Sequence, residues 1–304
     1  MKKIYLKLSI PFISLIFVSS LSFSQLSEVN NFLQAGVNDA NVFLEEYTAP
    51  FGNGIGTSLG GGWYNTAKPH KLGGFDLTLT VNWSTIPSSE KVFNLDGLAF
   101  ENDVSSTSTD IPTIAESKDV ASPQLTFSKD INGSPTSYTF DAPSGQGLSF
   151  VPLPALQLGV GLIKGTEILG RYIPKSSITI GDNDFGTIGL WGVGIKHDFK
   201  QWIPVVKKLP FDASLFFGYT QFNGEYNFPT EAQITPGDMS FATDMTSATH
   251  DFSEQGLDMS SSAMNVSLLV SKKLLFVTPY VGFSLVNTKF NMDLTGNYPF
   301  PYFN

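Results

Sequence analysis

Apolar and polar residues take turns along Phe75-Asp76-Leu77-Thr78-Leu79-Thr80-Val81-Asn82-Trp83-Ser84, with every odd position apolar and every even one polar. A period of two puts each set on its own face of a strand. A tilted strand crosses a bilayer in about 9–11 residues, so this segment has the required length, and Trp83 near one end suits the aromatic girdle of a membrane barrel. Phe185 to Phe199 repeats the device, with Trp191, Val193 and Ile195 on one side and Gly192, Gly194 and Lys196 on the other. Leu156, Leu158, Val160 and Leu162 alternate with Gln157, Gly159 and Gly161, and Phe211 to Phe222 alternates except at Phe216 and Phe222. Further strands are predicted at Gln124–Ile131, Thr136–Asp141, Thr166–Ile173, Ala263–Ser271 and Leu274–Phe290, nine in all.

The connections alternate in length. Thr85–Pro123, Ala142–Pro152, Pro174–Asp184 and Asn223–Ser262 are long or polar, whereas Asn132-Gly133, Lys164-Gly165 and Lys272-Lys273 mark tight turns. Lys200–Pro210 reads as a short segment lying on a membrane surface, with Trp202, Ile203 and Val206 on one side and Lys200, Lys207 and Lys208 on the other. Long outer loops and short periplasmic turns characterise outer-membrane barrels. A soluble β-sandwich shares the alternation but not the sorting of loops.

The expected fold is therefore all-β, a transmembrane antiparallel β-barrel of about 10–14 strands when complete. Nine strands have the wrong parity for a single-chain bacterial barrel. Either the sequence stops before its closing strands, the preferred account, or Gly56–Asn65 supplies an extra first strand. The tail Gly296–Asn304 carries Pro299 and Pro301 and makes a poor last strand, although Phe303 is aromatic.

Ahead of the barrel the period changes. Val29, Phe32, Leu33, Val37, Ala40, Phe43, Leu44 and Tyr47 recur at three- and four-residue steps, with Asp39 and Glu46 on other faces, which describes an amphipathic helix ending at Pro50. It either plugs the lumen or packs on the periplasmic rim. Before it, Lys2, Lys3 and Lys7, the apolar run Ile10–Val18 and the Ser22-Phe23-Ser24 site form a cleavable signal peptide. The expected division is a signal peptide at 1–24, a helix or plug segment at 25–55 and the barrel at 56–304, in the cell outer membrane.

Composition narrows the function. The formal charge is −9, and losing three signal-peptide lysines makes the remainder more acidic, which argues against nucleic acid. There is no cysteine for disulfides or thiolate metal sites. Gly56-Thr57-Ser58-Leu59-Gly60 matches a nucleophile-elbow pattern but lacks a preceding strand and a following helix. His70, His197 and His250 lack metal-ligand spacing. No catalytic residue, metal or cofactor is expected. Asp76, Thr78, Thr80, Asn82, Glu167 and Arg171 are expected to face the lumen, with Glu167 and Arg171 as an ion pair on one face of a strand. Glu225, Glu231, Asp238, Asp244, Asp251, Glu254 and Asp258 occur without Lys or Arg between Pro210 and Ser271. That stretch is either solvated or bridged by divalent ions to lipopolysaccharide phosphates.

Gly62-Trp63-Tyr64-Asn65-Thr66-Ala67-Lys68-Pro69-His70-Lys71, and later Gly192-Val193-Gly194-Ile195-Lys196-His197-Asp198-Phe199 with Pro204 and Pro210, resemble an uncharacterised family of bacterial outer-membrane barrels similar in plan to the FadL long-chain fatty-acid channels. The resemblance implies passive uptake of a hydrophobic or small amphipathic molecule past a plug carrying Val29, Phe32, Leu33, Val37 and Phe43. The chain is shorter than that plan. Outer-membrane lipid, lipopolysaccharide and the barrel-assembly machinery are the partners expected. A structural or surface-interaction protein with a closed lumen is the alternative.

Overall fold

The computed structural model describes residues 37–131, 134–180, 183–230, 233–238 and 249–299. Its main feature is one antiparallel sheet of seven strands curled into a half-barrel. In spatial order the strands are β1 (Phe75–Thr85), β7 (Phe150–Gly161), β8 (Thr166–Ile180), β9 (Asn183–Asp198), β10 (Asp212–Asn227), β11 (Gly256–Ser271) and β12 (Tyr280–Thr295). β1 and β12 are the two edges. No described helix is long and apolar enough to cross a membrane, a test that does not address strands.

The alternation read from the sequence sorts the two faces of this sheet. On the convex face Phe75, Leu77, Leu79 and Trp83 of β1 are at least 65 % exposed, and Leu158, Val193, Phe217, Val266 and Phe283 continue the apolar band across the other strands. On the concave face Gln157, Glu167, Arg171, Lys196, Asn265 and Ser267 are buried, together with an apolar patch that includes Leu153, Leu190 and Phe222. An exposed apolar band of this extent is the reverse of the outer face of a water-soluble domain.

Four sequence expectations about the strands need correction. Gln124–Ile131 (β5) and Ser134–Asp141 (β6) are strands, but not barrel staves. They join β3 (Asp103–Ser106) in a separate three-stranded sheet, beside the two-residue pair β2 (Val92–Phe93) and β4 (Ile111–Pro112). Alternation identifies a half-buried strand and is silent on which sheet buries it. Pro174–Asp184 is mostly strand, since β8 and β9 pair out to Ile180 and Asn183. Leu274 belongs to a tight turn closed against Val277, so β12 begins at Tyr280. Gly56–Asn65 is not a strand, because its first half ends a helix. The Lys164-Gly165 turn is where expected, with both residues at positive φ. Asn132-Gly133 lies outside the described residues.

Helix α1 (Val37–Gly60) lies against the concave face, touching both sides of the half-barrel. Its first half is held by the segment between β1 and β7: Ala40 and Phe43 are fully buried with Ile111, Leu125 and Phe127, and Tyr47 Oη donates to Ser144 O. Asp39, expected on the polar face, is instead buried, accepting from Glu101 N and from the backbone and side-chain nitrogens of Asn102. Of the expected plug residues, Phe43 is central to this core. Val37 begins the helix, and Val29, Phe32 and Leu33 lie outside the described residues, as does the expected signal peptide.

The helix does not stop at Pro50. It continues through the glycine-rich run to Gly60. Proline forfeits one backbone bond, but the wall outweighs that loss and the glycines explain how. Gly52, Gly56 and Gly60 face Phe290, Thr288 and Val286 of β12. Four helical residues advance about 6 Å and two strand residues about 6.6 Å, so this glycine row and the strand stay in step. Gly54 makes the same close approach to Val151 on the other side, where a Cβ would sit 2.5 Å from Val151 Cγ2. Gly56→Leu is therefore expected to cost about 1–3 kcal/mol by overpacking, despite its better helix propensity. The urea midpoint of the folded protein measures it, and an unchanged or raised midpoint would show that the helix does not bear on β12.

Candidate functional site

The second half of α1 ends in mid-sheet, where its last carbonyls have no helical partner. The wall supplies donors from several strands. Arg171 of β8 donates through Nη1 to Leu59 O at 3.2 Å and through Nη2 to Gly61 O at 2.7 Å. Asn265 of β11 donates to Gly60 O at 2.6 Å, Thr220 of β10 to Leu59 O at 3.3 Å and Asn82 of β1 to Gly61 O at 3.4 Å. A buried guanidinium at the C-terminal end also faces the negative pole of the helix dipole. Strands from both sides of the half-barrel thus converge on one helix end.

Trp63 fixes the chain just beyond. It is 1 % exposed, and its ring lies against Gly192, Gly194 and Gly218, whose missing side chains form the space it fills. Phe216 packs against it at 5.3 Å, and the Arg171 guanidinium carbon sits 3.8 Å from its centroid, within cation–π range. Phe216 breaks the β10 alternation because it belongs to this core rather than to the convex band. Gln157 Oε1 accepts from Arg171 Nε at 2.9 Å while its amide nitrogen donates to Trp63 O at 3.1 Å.

From there the chain runs to the tight-turn end, where Glu167 is reached. Glu167 and Arg171 do share the concave face as expected, but they are not an ion pair. Four strand residues separate them by about 13 Å, and Glu167 Oε2 instead meets Lys196 Nζ at 3.0 Å, its direct cross-strand partner on β9. Both side chains are at most 3 % exposed. His70 N also donates to Oε2, at 3.0 Å. Glu167 Oε1 lies 3.2 Å from His70 Nδ1, and Asp76 Oδ1 lies 3.6 Å from the same nitrogen. Gly159 of β7 lies between Asp76 and Glu167, and any side chain there would fill the gap across which they meet. These three ligand atoms lie within 4.8 Å of one another, close enough to share a cation, where the sequence leads to no expected metal. The Lys196 ammonium already neutralises the buried carboxylate.

The remaining β1 candidates sit on the concave face as half-buried residues. Thr78 donates to Asp76 Oδ2 and Thr80 to Ala155 O. Ser58 of the nucleophile-elbow match lies in the last turn of α1, and its hydroxyl donates to Val151 O. His197 accepts from Trp202 Nε1 at the turn end, and His250 bonds its neighbour Thr249. In the acidic stretch Glu225 pairs with Lys175 at 2.6 Å, while Asp251 accepts from Ser253 O–H and N–H, which lowers its pKa. Glu231 and Asp244 lie outside the described residues.

Sequence reasoning missed Tyr298, a buried residue whose hydroxyl donates to Gly256 O. Burial raises its pKa above the ordinary 10.0. The unfolded chain therefore ionises near 10 while the folded chain keeps its proton, so the stability linked to this phenol is intact below that pH and lost above it. An absorbance titration is expected to show one tyrosine ionising only as the protein unfolds, a late step missing in Tyr298→Phe.

No curated protein matches the chain, and no solved structure does. A family model does, over residues 1–304, and its description is that of a family of unknown function. With the model spanning the whole sequence, the chain belongs to the DUF6588 family.

Proposed function

We propose that this chain is a β-barrel of the bacterial outer membrane that passes hydrophobic or small amphipathic molecules by passive diffusion, with α1 as its plug. The observation that carries the membrane reading is the exposed apolar band on the convex face, set against a concave face that buries polar and charged side chains alongside an apolar core. Lipid rewards such a band, whereas water penalises it. β1 and β12 run in the same direction, so closure by antiparallel pairing takes an odd number of further strands between them. The plug reading is supported by the way α1 is held. Its glycine row offers a smooth face to β12, and the carbonyls at its C-terminal end accept hydrogen bonds from side chains on several strands.

A second reading has its own support, since Ile55 and Leu59 pack with Val151, Leu153, Leu190 and Phe222 as a fixed core would. The protein is then structural, with a closed lumen. Liposome swelling with a small amphipathic solute separates the two when the full chain is compared with a variant lacking residues 25–60. Transport predicts a clear rise in permeability on deletion or on release of the helix end. A folded deletion variant at the background rate would overturn it.

A further inference from the structure

Charge is divided between the two ends of the half-barrel. At the end where β7 meets β8, β9 meets β10 and β11 meets β12, the tight-turn rim named after Lys164-Gly165 and Leu274–Val277, the exposed pairs Lys207-Lys208 and Lys272-Lys273 stand with Lys71 and Lys164. Among the described residues none of these six forms an ion pair. At the end carrying the long connections, Asp96, Glu101, Asp110, Asp119, Asp251 and Glu254 are exposed. A net acidic chain has therefore gathered much of its positive charge on one rim.

The same rim exposes large apolar side chains at its turn tips. Leu275 is 90 % and Phe276 92 % exposed, flanked by Lys272 and Lys273, and Trp202 and Val205 protrude beside Lys207 and Lys208. Leu275 sits at φ 47°, a left-handed conformation that disfavours a side-chain-bearing residue. In a turn that only had to reverse the chain in water, glycine or asparagine would serve better and expose less apolar surface. Cationic heads around aromatic and aliphatic tips match the boundary between lipid headgroups and acyl chains.

We infer that the tight-turn rim is a docking surface for anionic glycerophospholipid headgroups, with the Leu275-Phe276 and Trp202–Val205 tips seated in the interface and the lysines pairing with lipid phosphates. This rests on the membrane reading above and deepens it: the rim fixes which leaflet the turns face, the one rich in anionic glycerophospholipid.

The experiment adds the purified full chain to vesicles of phosphatidylcholine alone or mixed with phosphatidylglycerol, and follows association by flotation and insertion by protease resistance. Each lysine near an anionic surface contributes about fivefold in affinity. The native chain is expected to associate at least about tenfold more tightly with the anionic vesicles, and to lose that preference as salt is raised. A variant with Lys207→Glu, Lys208→Glu, Lys272→Glu and Lys273→Glu is expected to insert into phosphatidylcholine as the native chain does, without the anionic preference. Insertion of the native chain into both vesicles without a salt-sensitive preference overturns the rim proposal alone. So does a variant that loses neutral and anionic vesicles equally, since the lysines would then serve folding. A chain that inserts into neither overturns the membrane reading, and the rim proposal with it.

Discussion

Replacing Arg171 with Met is expected to lower stability by about 3 kcal/mol and to raise the permeability of reconstituted vesicles. One guanidinium donates to Leu59 O, Gly61 O and Gln157 Oε1 and lies over the Trp63 ring. Hydrogen bonds to a charged donor contribute about 1.5–3 kcal/mol each, and the cation–π contact about 1–2 kcal/mol. The sum is larger than the expected loss because Thr220 still serves Leu59 O and Asn82 still serves Gly61 O. Methionine also keeps some of the packing against Trp63. Arg171→Lys tests the geometry separately: an ammonium preserves the charge at the helix end but cannot span two carbonyls as the planar fork does, so it is expected to recover less than half of the loss. The urea midpoint reads the stability, and solute-driven liposome swelling reads the helix. A destabilised variant whose permeability stays at the native level would show that the fastening holds a fixed core rather than a plug.

The parts of this fold visible in the sequence are those determined by near neighbours. The period-two alternation of Phe75–Ser84 reflects local backbone geometry set against two contrasting faces, and it survives as β1 with each side chain on its expected face. Lys164-Gly165 was legible because a tight turn needs residues that tolerate positive φ. The course of α1 past Pro50 was not legible, since local propensity argues against it and the compensating contacts come from β12, more than 200 residues downstream in sequence. The partners of Glu167 and Arg171 were missed for a related reason. The two share a face of β8, but alternation along a strand reveals only neighbours on that strand, which are about 6.6 Å apart on one face. The actual partners, Lys196 and Gln157, lie directly across on adjacent strands. A signal existed. Gly181-Asp182 is a dipeptide of the two-residue hairpin type, and counting outward from it in both directions brings Glu167 opposite Lys196.

Glu167→Gln is expected to destabilise the protein by about 3–5 kcal/mol, the usual loss when one member of a buried ion pair is removed. The substitution barely changes shape; what it changes is the account of charge around Lys196, whose ammonium is 3 % exposed and whose other described acceptor, Thr66 O, lies at 3.5 Å. A buried cation without its counterion retains the desolvation cost and loses the attraction that offset it. Lys196→Met leaves the mirror-image problem, softened because His70 N–H still donates to Glu167, so its loss is expected to be the smaller of the two. Combining Glu167→Gln with Lys196→Met removes both charges, and the double variant is expected to be more stable than Glu167→Gln alone, which makes the coupling in a double-mutant cycle on urea midpoints large and favourable. Simple addition of the two single losses would mean that the charges are solvated in the folded protein and that water, rather than the cross-strand pair, satisfies the concave face at this end.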